Sequence, residues 1–195
     1  MQKYIAEALG TGTLALVVGL SLAGNFPVST PVLAALTLGL FVYSIGHLSG
    51  THINPAVTLG AWSIGKVATA DAVKYIIAQF VGAIVALFIL QAVTEPGVAM
   101  TAGTDMATGL AELVGAFFFT FGIASVIYGR TASDMSGLVV GGSLLLGITI
   151  AVLMGSNGVI NPAVALGIGS FGVMYVIAPI VGAILGMQAY KHLQG

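Results

Sequence analysis

The residues able to do chemistry in this sequence are few, and they come in pairs. Asn54-Pro55-Ala56 and Asn161-Pro162-Ala163 stand 107 positions apart, and Glu7 and Glu112 stand 105 apart, each within apolar sequence. Asn is a favoured N-cap, and Pro is favoured at the first helical position, where its missing N–H costs nothing. Helices are therefore expected to begin at Pro55 and Pro162. The asparagine amides remain as donors to the oxygen of a small hydrogen-bonding solute. An acid inside an apolar span is a functional candidate by default. A proton relay is one reading of Glu7 and Glu112. The expected one is structural: each carboxylate accepts hydrogen bonds from backbone N–H groups of a nearby loop. His47 and His52 flank the first Asn-Pro. Two histidines without further ligands make a poor metal set, so no metal is expected. His47 is read as a packed, hydrogen-bonded loop residue, His52 as lining a cytoplasmic vestibule, and His192 as a solvated tail residue. No nucleophile–base set points to an enzyme, and no cofactor is implied.

The elements that must position these residues follow from composition. Of 195 residues, 58 % are hydrophobic and 6 % charged, and the mean hydropathy is +1.10. A soluble domain carries about 25 % charged residues, so lipid is the solvent for most of this surface. The net charge is −1, without a basic run, which argues against nucleic acid. There are no cysteines, hence no disulfides. A crossing helix needs roughly 20 apolar residues. Six such spans are expected near 5–24, 31–46, 72–93, 107–128, 136–155 and 171–190. Two shorter stretches, 54–64 and 161–169, can cross only half a bilayer. The first span follows Lys3, in the manner of a cleavable leader, but Glu7 lies inside it and its pattern returns in mid-chain. It is expected to be retained. Lys3, Lys66, Lys74, Arg130 and Lys191 all fall on one side of this topology, whereas Glu95 and Asp105 fall on the other. Both termini are then cytoplasmic.

The chain also repeats itself. The segment 53–60 matches 160–167 at every position but one. Ala6-Glu7-x-x-Gly10 matches Ala111-Glu112-x-x-Gly115. Tyr75-Ile76-Ile77-Ala78 with Val81-Gly82-Ala83-Ile84 matches Tyr175-Val176-Ile177-Ala178 with Val181-Gly182-Ala183-Ile184. Each half (about 1–95 and 106–195) holds three spans, an odd number, so the second copy is inverted. The expectation is an all-α membrane protein: one domain over 1–195, an inverted repeat of six transmembrane helices plus two re-entrant half-helices. Such repeats place their site at the repeat interface near the midplane.

Inversion points the two helix N-termini at each other. Each carries about half a positive charge, which opposes cations, hydronium included. A water accepting from both Asn54 and Asn161 turns its hydrogens away, which breaks a proton wire. The carbonyls of Gly50, Thr51, His52 and Ile53, and of Asn157, Gly158, Val159 and Ile160, are expected to supply acceptors along the path. Small residues at four-residue spacing (Gly137 and Gly141, Gly182 and Gly186, Gly82 and Ala86) are read as close helix contacts. Met100, Met106 and Met135 are read as loop or interface residues without a role.

The run Gly46-His47-Leu48-Ser49-Gly50-Thr51-His52-Ile53-Asn54-Pro55-Ala56-Val57 resembles the first signature loop of the aquaporin, or major intrinsic protein, family. The Ala-Glu-x-x-Gly starts, Gln79-Phe80-Val81-Gly82-Ala83, Pro179-Ile180-Val181-Gly182-Ala183 and the second Asn-Pro-Ala match it too. The resemblance covers essentially the whole chain. It implies a passive channel for water and small uncharged solutes, assembled as a homotetramer with one pore per subunit. Family members usually carry Arg after the second Asn-Pro-Ala; here Val164 stands there. Counting back from the motifs puts the other filter positions on Ala34, Thr149 and Gly158. The Asp that often follows the Arg in glycerol facilitators is replaced by Ala165. The filter expected is wide and uncharged, permitting glycerol-sized polyols, urea, ammonia or peroxide, unless Phe41, Tyr43 or Met154 refills the gap. Two alternatives stay open: an ion- or proton-coupled transporter using Glu7 and Glu112, and a cation pore opened by the missing Arg.

Overall fold

A computed structural model describes residues 1–24, 26–94 and 102–194; Glu95 and Met100 lie outside the described residues. The chain runs α1 (Gln2–Ala23), α2 (Thr30–Ser49), α3 (Pro55–Ser63), α4 (Thr69–Val93), α5 (Met106–Ile127), α6 (Ser136–Leu153), α7 (Pro162–Gly167) and α8 (Val173–Leu193), with one 3-10 turn at Ser133–Met135. Six of these helices are long and apolar enough to cross a membrane. The two half-helices are not: nine residues of α3 rise only about 13 Å.

Both half-helices start where expected. The Asn54 side chain accepts from the Ala56 N–H, and the Asn161 side chain from the N–H groups of Ala163 and Val164. α2 corrects the sequence reading. It runs to Ser49, three residues past the expected end at Gly46, because Gly50 rather than Gly46 takes the left-handed capping conformation (φ 81°). At the opposite end of the bundle, Asp105 caps α5 by accepting from the Thr108 N–H at 2.8 Å and its hydroxyl at 2.9 Å. The Thr108 N–H bond lowers the Asp105 pKa below the ordinary carboxylate value. This cap is fully present above the ordinary value and is lost as pH falls through the lowered one.

Within each half the outer helices pair, α1 on α4 and α5 on α8. Between the halves α2 lies on α6, α3 packs on α8 and α7 on α4. Each half-helix is thus held by the third long helix of the other half. Backbones meet at the glycines. A Cβ added at Gly82 would lie 2.0 Å from the Ala8 carbonyl oxygen, and one at Gly182 would lie 2.1 Å from that of Leu113. Gly82→Ala must push α4 off α1. We expect a destabilisation of about 1–3 kcal/mol, read as a lower Tm in detergent; an unchanged Tm would mean that these helices do not approach this closely.

The basic residues gather at one end. Lys3 pairs with Asp71 at 2.9 Å, Lys66 sits over the Tyr128 ring, and the Arg130 Nε donates to the Gln194 side chain. These contacts tie together the start of α1, the α3–α4 and α5–α6 connections and the end of α8.

Candidate functional site

The site is built around two loops with nearly the same backbone. Residues 50–53 and 155–160 each return the chain to mid-bundle. Each ends on an isoleucine in the left-handed region, Ile53 at φ 38° and Ile160 at φ 39°. β-branched residues rarely accept that conformation, so something must hold it. The buried glutamates do. Glu7 Oε1 accepts from the Ser49 hydroxyl at 2.7 Å and the His52 N–H at 2.9 Å. Its Oε2 accepts from the Ile53 N–H at 2.6 Å and the Gln79 amide at 2.7 Å. Glu112 repeats this with the Ser156 hydroxyl and Val159 N–H on Oε1 and the Ile160 N–H on Oε2. Both acids are 0 % exposed. Both oxygens of each carboxylate are thus engaged, by donors in or beside the loop and, on Glu7, by Gln79 of α4 as well.

The loops meet through their asparagines. Asn54 Nδ2 donates to the Ile160 carbonyl at 3.0 Å, and Asn161 Nδ2 donates to the Ile53 carbonyl at 3.0 Å. This reciprocal pair requires a local two-fold relation between the halves. It also corrects one expectation. The Ile53 and Ile160 carbonyls, placed along the path by sequence, are turned onto the opposite asparagine, and both residues are 0 % exposed.

Cavities open on either side of this junction. One, of about 280 Å³, reaches from Thr30 and Leu22 to Asn161 and is also lined by Ala34, Asn157, Gly158, Val159 and Val164. The other, of about 400 Å³, lies among Gly50, Thr51, His52, Lys66, Asp71 and Tyr75. Six of the eight residues expected to offer carbonyls therefore line a cavity. Of the four filter positions, Ala34, Gly158 and Val164 come together on the smaller cavity, but Thr149 does not. Thr149 is exposed on the outer surface of α6, its hydroxyl bonded to the Leu145 carbonyl. Its neighbour Ile148 lines the cavity instead. Each helical residue turns about 100°, so an error of one position in counting back along the loop swings a side chain from the cavity to the lipid face. Phe41, Tyr43 and Met154 do not line this cavity. Tyr43 instead donates to the Asp134 carbonyl, and Met154 is exposed.

His47 is a further correction. It is exposed on the last turn of α2 and supports no loop, because α2 continues through it. Ser49 takes the role, accepting from the Thr51 N–H while donating to Glu7. Its signal was present in the sequence: Ser49 and Ser156 share the 107-residue offset of the asparagines. Gln79 and Thr58 were also missed. The Gln79 amide donates to Glu7 and to the Thr58 hydroxyl, which donates in turn to the Asn54 carbonyl. The repeat offers no hint of them, since Pro179 and Ala165 occupy the matching positions. Thr58 has spent its one hydrogen, so the 3.2 Å contact from His52 Nδ1 requires the hydrogen on Nδ1.

Six spanning helices, two facing half-helices and a cavity on each side of their junction define a membrane channel rather than an enzyme. The profile of the family described as Major intrinsic protein matches residues 1–190, and the chain belongs to that family. It is 30 % identical to Aquaporin Z of Bradyrhizobium diazoefficiens, over 99 % of this chain and 93 % of that one. It is 36 % identical to Aquaporin AqpM of Methanothermobacter thermautotrophicus, over 78 % of this chain and 71 % of that one. The X-ray structure of the aquaglyceroporin from Plasmodium falciparum superposes with a TM-score of 0.81 at 21 % identity, covering 99 % of this chain and 96 % of that one. The last likeness concerns the fold.

Proposed function

We propose that the chain is a passive channel for water and small uncharged solutes, atypical in lacking the filter arginine, with a wide and uncharged outer ring of Ala34, Ile148, Gly158 and Val164. The observation that carries this reading is the ring's composition. Val164 lines the cavity where a family arginine would be expected, and the other three side chains are aliphatic or absent. An uncharged ring offers a neutral solute no tight site to leave and no fixed cation to crowd it. The names of the relatives, aquaporin and aquaglyceroporin, support water and glycerol as the solutes to test. The basic residues gathered at one end support cytoplasmic termini. The matched loops and reciprocal asparagines support an inverted repeat, and a homotetramer remains an expectation from the family resemblance.

Proton-coupled transport is the competing reading. It needs an acid that faces the path, yet Glu7 and Glu112 are buried away from both cavities and hold the loops. Stopped-flow light scattering on proteoliposomes separates the two. We expect water and glycerol fluxes well above those of empty vesicles and unchanged by a pH difference across the membrane. Uptake that requires such a difference would overturn the passive reading in favour of the transporter. Conductance in a planar bilayer would overturn it in favour of a cation pore.

A further inference from the structure

The outer ring, although lined by the residues discussed above, is not where the path closes. The two cavities share no lining residue. On α6 the lining changes hands within one turn: Leu144 faces the outer cavity and Val140 the inner. On α2 the change takes two turns. Ala34 lines the outer cavity and Val42 the inner, while Leu38, midway between them, lines neither. Positions four apart share a helix face, so Leu38 points the same way as Ala34 and Val42. It is 2 % exposed. Between the two cavities lies the asparagine junction: Asn161 lines the outer cavity and donates to the Ile53 carbonyl, and Asn54 donates to the Ile160 carbonyl.

We propose that Leu38 is the specificity-determining residue of this channel: its side chain closes the path at the asparagine junction and sets the largest solute that passes. The proposal rests on the channel reading above. A solute at this point has hydrogen-bond donors on one side only and hydrocarbon on the other. It must therefore shed part of its hydration, and the room that Leu38 leaves decides which molecules fit. Hydrophobic constrictions of this kind gate by expelling water. Ala34 and Gly158 make the outer ring the roomier of the two.

The chain contains no cysteine, so a single introduced thiol can be addressed without background. Leu38→Cys is treated with methyl methanethiosulfonate in proteoliposomes. Leu40→Cys, on the exposed lipid face of the same helix, serves as the control. Modification at position 38 is expected to cut water flux about threefold or more, with no change at position 40 or in the unmodified wild type. Leu38→Ala supplies a second reading. It is expected to raise the glycerol-to-water flux ratio about threefold or more, and a merely structural leucine would not move that ratio. If the label is on Cys by mass spectrometry and flux is unchanged, Leu38 does not face the path. If the wild type conducts but Leu38→Ala leaves the ratio alone, the constriction lies elsewhere and the proposal is wrong. If the wild type conducts neither solute, the channel reading itself fails.

Discussion

Val164→Arg is expected to lower glycerol flux by about tenfold or more while water flux stays within about threefold. Val164 is the first residue after the second Asn-Pro-Ala and lines a cavity of about 280 Å³. The backbone at this position does not depend on the side chain: the Val164 N–H donates to Asn161 whatever stands there. An arginine would extend a long side chain into space bounded by Ala34, Ile148 and Gly158. It would add five N–H donors and a fixed charge. Glycerol then meets a narrow polar ring before it reaches the junction, whereas a single water still fits. Stopped-flow measurements on both solutes test this. Unchanged glycerol flux would show that position 164 does not border the path, and the assignment of the outer ring would fall with it.

The second large effect concerns the glutamates. Glu112→Gln replaces one accepting oxygen with a donating NH2 group that must face the N–H of Ile160 or Val159 or the Ser156 hydroxyl. Donor then opposes donor in a site with no water-accessible surface. The cost of breaking a buried, charged hydrogen-bond set is about 3–5 kcal/mol. Ile160, at φ 39°, then keeps only its carbonyl bond to Asn54, so the loop is expected to relax and flux to be lost together with stability. Glu7→Gln is expected to do the same in the first half, where four donors converge on the carboxylate. Melting in detergent and hydrogen exchange at residues 158–160 report the result. A proton relay makes the opposite forecast: Tm intact and only gradient-dependent uptake lost. An unaltered Tm would therefore remove the structural role assigned to both acids.

Much of this architecture could be read from the sequence because lipid leaves few choices. Spans of about 20 apolar residues must be helices. Asn-Pro then marked the starts of both half-helices to the residue, since the cap and the first helical position have distinct side-chain requirements. The pairing of each glutamate with its own loop followed from counting one acid and one loop per half. What could not be read depended on rotation and on partners far away in sequence. Thr149 and Ile148 are neighbours in the chain but face lipid and cavity respectively, and no alternation of polar and apolar residues along α6 marks the difference. Gln79 reaches Glu7 across 72 positions and has no counterpart in the other half. His47 was misplaced because Gly46 looked like a helix end, and only the backbone reveals that Gly50 takes the turn.

The reciprocal bonds between the loops also bear on how the protein is made. The Asn54 amide and the Ile160 carbonyl are 106 residues apart, and Asn161 and Ile53 are separated by 108. At about 5–20 residues per second of synthesis, the first loop exists for roughly 5–20 seconds before the groups that complete it leave the ribosome. Until then its carbonyl and amide lack the partners they have in the folded chain. The first half is thus a waiting structure, and the arrival of the second asparagine closes both loops in one event.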